Sequence, residues 1–330
     1  MNFNRIDADK ELPGNLLIRC APGHQLEYLL LTLAKFLNLW HVSPAHPILF
    51  GLKVSIRFTS IIPYIHNLLQ EQMSTVNNLS IQPYKGYFQE ARTYLSYPFH
   101  PKRKINQKFV ILCLHRSGST LLASLLDSHP SIHCENELLY YRKMFPLRYL
   151  ECRIRLSPKE NFGFKLMPNH IGYQGYQNAG QFMTELAELG YRMINLTRRN
   201  LMRAALSLLS AQKSGKFHYN LTERALGLPK VSLEPSEVIE KISWFQQLAE
   251  LQAQITRSLP HLDLVYEDHL LDSSQHQSTV DQIVDYLGIP RAQVHSEFAK
   301  IGTEDLSNSI ANFDELAHLV QDTGQVKAAP

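Results

Sequence analysis

The feature that most limits what this chain can fold into is one apolar run, Phe109-Val110-Ile111-Leu112-Cys113-Leu114. It passes through a short polar turn straight into a helix-forming stretch, Thr120–Asp127. A continuous apolar run of strand length reads as a strand covered on both faces. A strand feeding a helix this directly belongs to a parallel α/β sheet. His129-Pro130 stops the helix, and Ile132-His133-Cys134 is a short strand. The alternation continues with a strand over Phe162–Met167, a helix over Phe182–Leu189 ended by Gly190, and a strand over Tyr191–Thr197. Leu201–Ala211 is helical, and Val238, Ile242, Phe245, Leu248, Leu251 and Ile255 make one apolar face of a longer helix after Pro235. Leu262–Tyr266 is a further strand and Val280–Leu287 a helix ending at Gly288. The expected fold is therefore α/β, a three-layer sandwich around a central parallel sheet. In such sheets ligands lie beyond the carboxyl ends of the strands, here the turns after positions 114, 167 and 197.

The first part of the chain reads differently. Residues 1–104 carry apolar helical runs, Leu26–Leu39 and Ile48–Ile62, broken by prolines, and close on the basic linker Lys102-Arg103-Lys104. They are expected to form a mainly helical N-terminal extension, either a lid over the acceptor or a homodimer face, ahead of a main domain at 105–330. The stretch from Tyr28 to Trp40 is too short to span a membrane and is interrupted by Lys35 and Asn38. The N-terminus has no apolar signal region, and the sequon at Asn195 falls inside a core strand, so a cytoplasmic protein is expected.

Composition narrows the function classes. Lys+Arg 33 against Asp+Glu 30 leaves +3, too little for a general nucleic-acid binder but compatible with local anion sites. Four cysteines with no CxxC, and no HExxH or zinc-spaced cluster, predict reduced thiols and no metal.

The chemistry is expected in the first turn, His115-Arg116-Ser117-Gly118-Ser119-Thr120. Backbone N–H groups at a helix N-terminus, with the positive end of the helix dipole, cradle an anion. Gly118 allows close backbone approach, Ser117, Ser119 and Thr120 add hydroxyls, and Arg116 adds a forked guanidinium suited to phosphate. The turn is not a Walker A loop, because Gly118 stands where that pattern needs Lys and no earlier glycine precedes it.

From Arg116 to Glu137 the chain resembles the PAPS-dependent sulfotransferases (PAPS is 3′-phosphoadenosine 5′-phosphosulfate). Their P-loop-like 5′-phosphosulfate loop reads R-S-G-T/S-T-L-L, followed by a helix, S/A-H-P and a segment ending in Glu. This chain has Arg116-Ser117-Gly118-Ser119-Thr120-Leu121-Leu122, Ser128-His129-Pro130 and Cys134-Glu135-Asn136-Glu137. The tyrosylprotein branch places its catalytic Glu 21 residues after the loop arginine, and here 137 − 116 = 21. The family's 3′-phosphate site, an Arg with a Ser eight residues on, is matched by Arg199 and Ser207. Val265-Tyr266-Glu267-Asp268, Tyr286-Leu287-Gly288-Ile289-Pro290 and Asn312-Phe313-Asp314-Glu315-Leu316 resemble further family segments. The likeness covers roughly 105–320 and departs from the family at His115 and Asn136.

The resemblance implies PAPS as cosubstrate, PAP as product and no metal. Arg116, Ser117, Gly118, Ser119, Thr120 and Leu121 would hold the 5′-phosphosulfate, with Arg199 and Ser207 on the 3′-phosphate. Glu137 is the expected general base, with Glu135 the alternative. Lys165 is expected beside the transferred sulfuryl group, and Arg116 beside the leaving group. The implied acceptor is a hydroxyl, or as a lesser option an amine, of a small metabolite or glycan. His129 reads as a helix cap, Trp244 as core, Arg198 and Arg203 as solvated with assistance to the 3′-phosphate as the lesser option, and His170 as a minor candidate base. Two other functions stand beside this one: a nucleotide-dependent phosphotransferase with a degenerate loop, and an inactive PAP-binding scaffold.

Overall fold

The computed structural model describes residues 85–97, 100, 104–215, 230–296 and 309–322. The chain divides into two units, Met1–Arg92 and Thr93–Pro330. Helix α1 (Lys85–Ser96) runs across that division. The helices expected at 26–39 and 48–62, the lid or dimer face and Cys20 lie outside the described residues.

The second unit is built on five strands: β1 (Gln107–Cys113), β2 (Ile132–Glu135), β3 (Asn161–Leu166), β4 (Tyr191–Thr197) and β5 (His261–Val265). They pair in parallel in the order β2-β3-β1-β4-β5. The expected parallel α/β sheet is thus the observed one.

Alternation along β1 divides the core. Phe109, Ile111 and Cys113 pack toward α2 (Ser119–Ser128) and α8 (His276–Leu287). Val110 and Leu112 pack on the opposite face, with α3 (Pro146–Arg155), α4 (Pro168–Tyr173), α5 (Ala179–Glu188) and the end of α7 (Pro235–Thr256). Helix α6 (Leu201–Ser214) packs on α7 and α9 (Phe313–Asp322).

Local chemistry sets the helix ends. Asn178 and Asn200 accept backbone N–H bonds at the starts of α5 and α6. Gly215 and Gly288 take the left-handed conformation where α6 and α8 stop. Beyond the expected strands and helices are α3, α4 and α9, the first two each opened by proline at its first turn.

Strand order fixes where the site sits. From β1 the chain crosses to β2 by way of α2 on one face; from β3 it crosses to β4 by way of α4 and α5 on the other. The neighbouring strands β1 and β3 therefore send their chains to opposite faces, which opens a crevice at their carboxyl ends. The 115–119 turn follows β1 at that point.

Candidate active site

The turn after β1 is held in an unusual backbone shape. Arg116 has φ 58, the one positive φ outside glycine among the described residues, and Gly118 has φ 80. A non-glycine residue in this region costs roughly 1–2 kcal/mol, so surrounding contacts must impose it. The Ser117 hydroxyl is buried and donates to the Leu114 carbonyl at 2.7 Å, holding the turn from inside. At the cap position of α2, Gly118 has no side chain to satisfy the first N–H groups of the helix, and its carbonyl accepts from Leu122 N at 3.0 Å. A Cβ on Gly118 would lie 2.6 Å from the Tyr266 ring, so glycine is required here for space as well as for φ. Ser119 is buried against the Cys113 thiol, and Leu121 packs on the α2-side core.

The β1–β3 register carries a cation to this turn. Phe162, Phe164 and Leu166 enter the core on the α3–α5 side, which leaves Gly163 and Lys165 on the α2 side. Gly163 makes room for the Phe109 ring, 2.1 Å from where a Cβ would stand. Lys165 is only 2% exposed, and its Nζ donates to Thr120 Oγ1 at 3.0 Å. Glu137 Oε1 stands 3.4 Å from the same Nζ. Burial of an ammonium needs such partners.

Glu135 is placed differently. As the last residue of β2, it accepts from Arg153 Nε at 3.0 Å and Nη2 at 2.6 Å, with His133 Nε2 at 3.7 Å. Glu135 and the Asp127 carboxylate, 2.8 Å from His133 Nδ1, hold His133 protonated to higher pH than usual. Of the two carboxylates, Glu137 is the one joined to Lys165 and, through it, to the turn.

Arg116 and Ser207, read from the sequence as parts of two phosphate sites, meet: Arg116 Nε donates to Ser207 Oγ at 2.9 Å. Arg199 is held at another place. Its half-exposed guanidinium pairs with Asp268, while Glu267 accepts from the backbone N–H groups of Arg199 and Asn200 at 3.0 and 3.1 Å. Arg198, expected in solvent, is instead turned inward with a 12% exposed side chain. It donates to the Arg116 carbonyl and stacks on the Tyr266 ring at 4.6 Å.

An aromatic group beside the turn was not anticipated. His115 lies 5.5 Å from Trp244 and 5.9 Å from His170, ring centre to ring centre. Trp244, expected in the core, is half-buried and faces this group, with Lys241 over its ring at 5.0 Å. His170 is 0% exposed, ringed by His115, Tyr140 and Tyr173, and neither ring nitrogen has a hydrogen-bond partner. Burial lowers its pKa to about 4, and lowers that of His115 as well. An imidazole this hard to protonate suits a proton acceptor poorly. His129 is the C-cap residue of α2 through its backbone N–H, which donates to the Leu126 carbonyl at 3.1 Å, while its ring accepts from Ser131 N at 3.2 Å through Nδ1 and meets the Pro290 carbonyl at 3.0 Å through Nε2.

Cys113, Cys134 and Cys152 are buried, and burial pushes the Cys113 thiol up to about 11, far from a reactive thiolate. Among the described residues no group of His, Cys, Asp and Glu is arranged to hold a metal ion, and no helix is long and apolar enough to cross a membrane.

No family model matches the chain. It is similar to Nodulation protein H of Rhizobium tropici, 29% identical over 233 residues, which are 64% of this chain and 88% of that protein. Nodulation protein H of Rhizobium meliloti strain 1021 is 26% identical over 230 residues, 64% of this chain and 90% of that one. Among solved structures, a sulfotransferase from Alicyclobacillus acidocaldarius aligns at a TM-score of 0.41 and 14% identity, over 68% of this chain and 95% of that one. The parallel sheet and the turn after β1 are where the sequence motifs require them.

Proposed function

We propose that the protein is a PAPS-dependent sulfotransferase acting on a hydroxyl of a small metabolite or glycan, in line and without a metal. One observation carries the reading. The buried Lys165 ammonium bonds the Thr120 hydroxyl at the mouth of an uncapped anion turn, with the Glu137 carboxylate 3.4 Å away. A cation, an anion cradle and a carboxylate thereby converge where the sheet order opens a crevice.

The residues present fit the donor. The N–H groups that Gly118 leaves without a side-chain cap suit the 5′-phosphosulfate, with Arg116 and the Thr120 hydroxyl beside them. Arg199 suits the 3′-phosphate, since an exposed ion pair such as the one with Asp268 is worth only about 0–1 kcal/mol and exchanges readily for a doubly charged group. When bound, PAPS supplies an activated sulfuryl group. Glu137 takes the proton of the acceptor hydroxyl, and the oxygen so freed forms its bond to sulfur. The sulfur–oxygen bond to the 5′-phosphate breaks, and the electron pair leaves on PAP. Lys165 and Arg116 face that developing charge. The loop has Gly118 where a Walker-type loop carries its phosphate-binding Lys, which favours sulfuryl transfer over the phosphotransferase reading.

The test is a transfer assay in EDTA with sulfur-labelled PAPS and a panel of hydroxylated acceptors, reading both labelled product and PAP. Wild type should release PAP with acceptor labelling, and Glu137→Gln should not. Phosphate transfer from ATP with Mg²⁺ in place of these would overturn the reading.

A further inference from the structure

We propose that Arg198 is a positioning residue that locks the phosphate turn from beneath, with Tyr266 as its platform. The inference rests on the sulfotransferase reading above for what the turn binds. The turn needs a lock because Arg116 holds φ 58, a conformation that its own side chain disfavours. Arg198 supplies one by donating to the Arg116 carbonyl, the backbone group next to the strained φ.

Three further contacts make the arrangement rigid. The guanidinium face lies 4.6 Å from the centre of the Tyr266 ring. The same ring fills the space that a Cβ on Gly118 would need, so Tyr266 touches the turn and its brace together. Glu267 stands 3.9 Å from Arg198 Nε and accepts the N–H groups of Arg199 and Asn200, which ties the start of α6 to the same corner. One turn after β5 thus sets the backbone of both expected phosphate sites. Arg198 has its head on a carbonyl and its face on a ring, so it acts through Arg116 and is not itself a phosphate ligand.

The test compares wild type, Arg198→Met, Arg198→Lys, Arg116→Ala and the double variant Arg116→Ala/Arg198→Met. PAP affinity in EDTA, melting temperature and amide hydrogen exchange of residues 115–120 without ligand are measured on each. Arg198→Met is expected to weaken PAP about tenfold or more and to speed exchange in the turn, with the melting temperature little changed. Arg198→Lys, which can still reach the carbonyl but cannot stack as a plane, should recover part of both. Arg116→Ala keeps the backbone carbonyl that Arg198 holds, so adding Arg198→Met should speed exchange in that background too and add its own loss of affinity. Unchanged exchange in the turn on Arg198→Met, alone or in the Arg116→Ala background, would overturn the inference. Wild type that fails to bind PAP while Arg198→Met still loosens the turn would overturn the functional reading and leave the brace standing.

Discussion

Glu135 and Glu137 lie two positions apart and end in different surroundings. Glu135 is the last residue of β2 and is held by Arg153; Glu137 is the middle residue of a turn in which Leu138 N bonds the Asn136 carbonyl at 2.8 Å, and it faces Lys165. Glu137→Gln should lower turnover by about a hundred- to ten-thousand-fold while PAP still binds, the usual worth of a positioned base. Glu135→Gln should leave turnover within about tenfold and lower stability by about 1 kcal/mol, because Arg153 keeps an acceptor oxygen but loses its partner's charge. Steady-state kinetics and thermal melts on both variants check this. Sequence spacing could not choose between the two, since the choice depends on a turn beyond the strand end.

His170 was legible only as a histidine near the site; its burial depends on Tyr140 and Tyr173 from separate segments. Its folded-state pKa of about 4 lies below the ordinary value of about 6.5. A depressed pKa gives stability that is present above the unfolded value and lost as pH falls through the folded one. Stability should therefore decline between about pH 6.5 and pH 4, by about 3 kcal/mol from this group. His170→Gln should flatten that limb in urea melts at stepped pH. Glu137, Lys165 and His115 are the charged and titrating neighbours, and they remain in the variant. An unchanged slope would assign the acid sensitivity elsewhere.

At the scale of elements, glycine decides how β1, β3 and α2 fit. Gly163→Ala would drive a methyl into the Phe109 ring, and Gly118→Ala would add contact with Tyr266 to an unfavourable φ. Each should cost about 1–3 kcal/mol in chemical unfolding. Adding Phe109→Leu should return part of the loss at Gly163 and none at Gly118, since only the former clash is with that ring. The elements themselves were legible where periodicity and a stop signal coincided, as in α8 ending at Gly288 or β4 bounded by Gly190. Helix α4 has only six residues, too few for a period to show, and α3 buries only Tyr149, Leu150 and Cys152, so its face is thin. Trp244 was read as core because it lies on the long amphipathic helix, yet it is only half-buried and its ring meets His115. A helical pattern shows which face is apolar, not which neighbour stands against it.

Across the whole molecule, the order β2-β3-β1-β4-β5 brings Lys165, 49 residues beyond Arg116 in the chain, to the same turn. The parallel sheet could be read from unbroken apolar strands alternating with helices, because burial on both faces leaves that composition. The pairing of Arg116 with Ser207 could not, because it joins groups that motif spacing assigns to separate phosphates. The structure thus couples the two ends of the expected donor site through one hydrogen bond. Calorimetric titration with 3′,5′-adenosine bisphosphate in EDTA tests the central claim most directly, on wild type and on Arg199→Ala. Binding in the micromolar range without metal, weakened by about 1.5–3 kcal/mol in the variant, is the predicted result. Absence of binding by wild type, or preference for ATP with Mg²⁺, would contradict it.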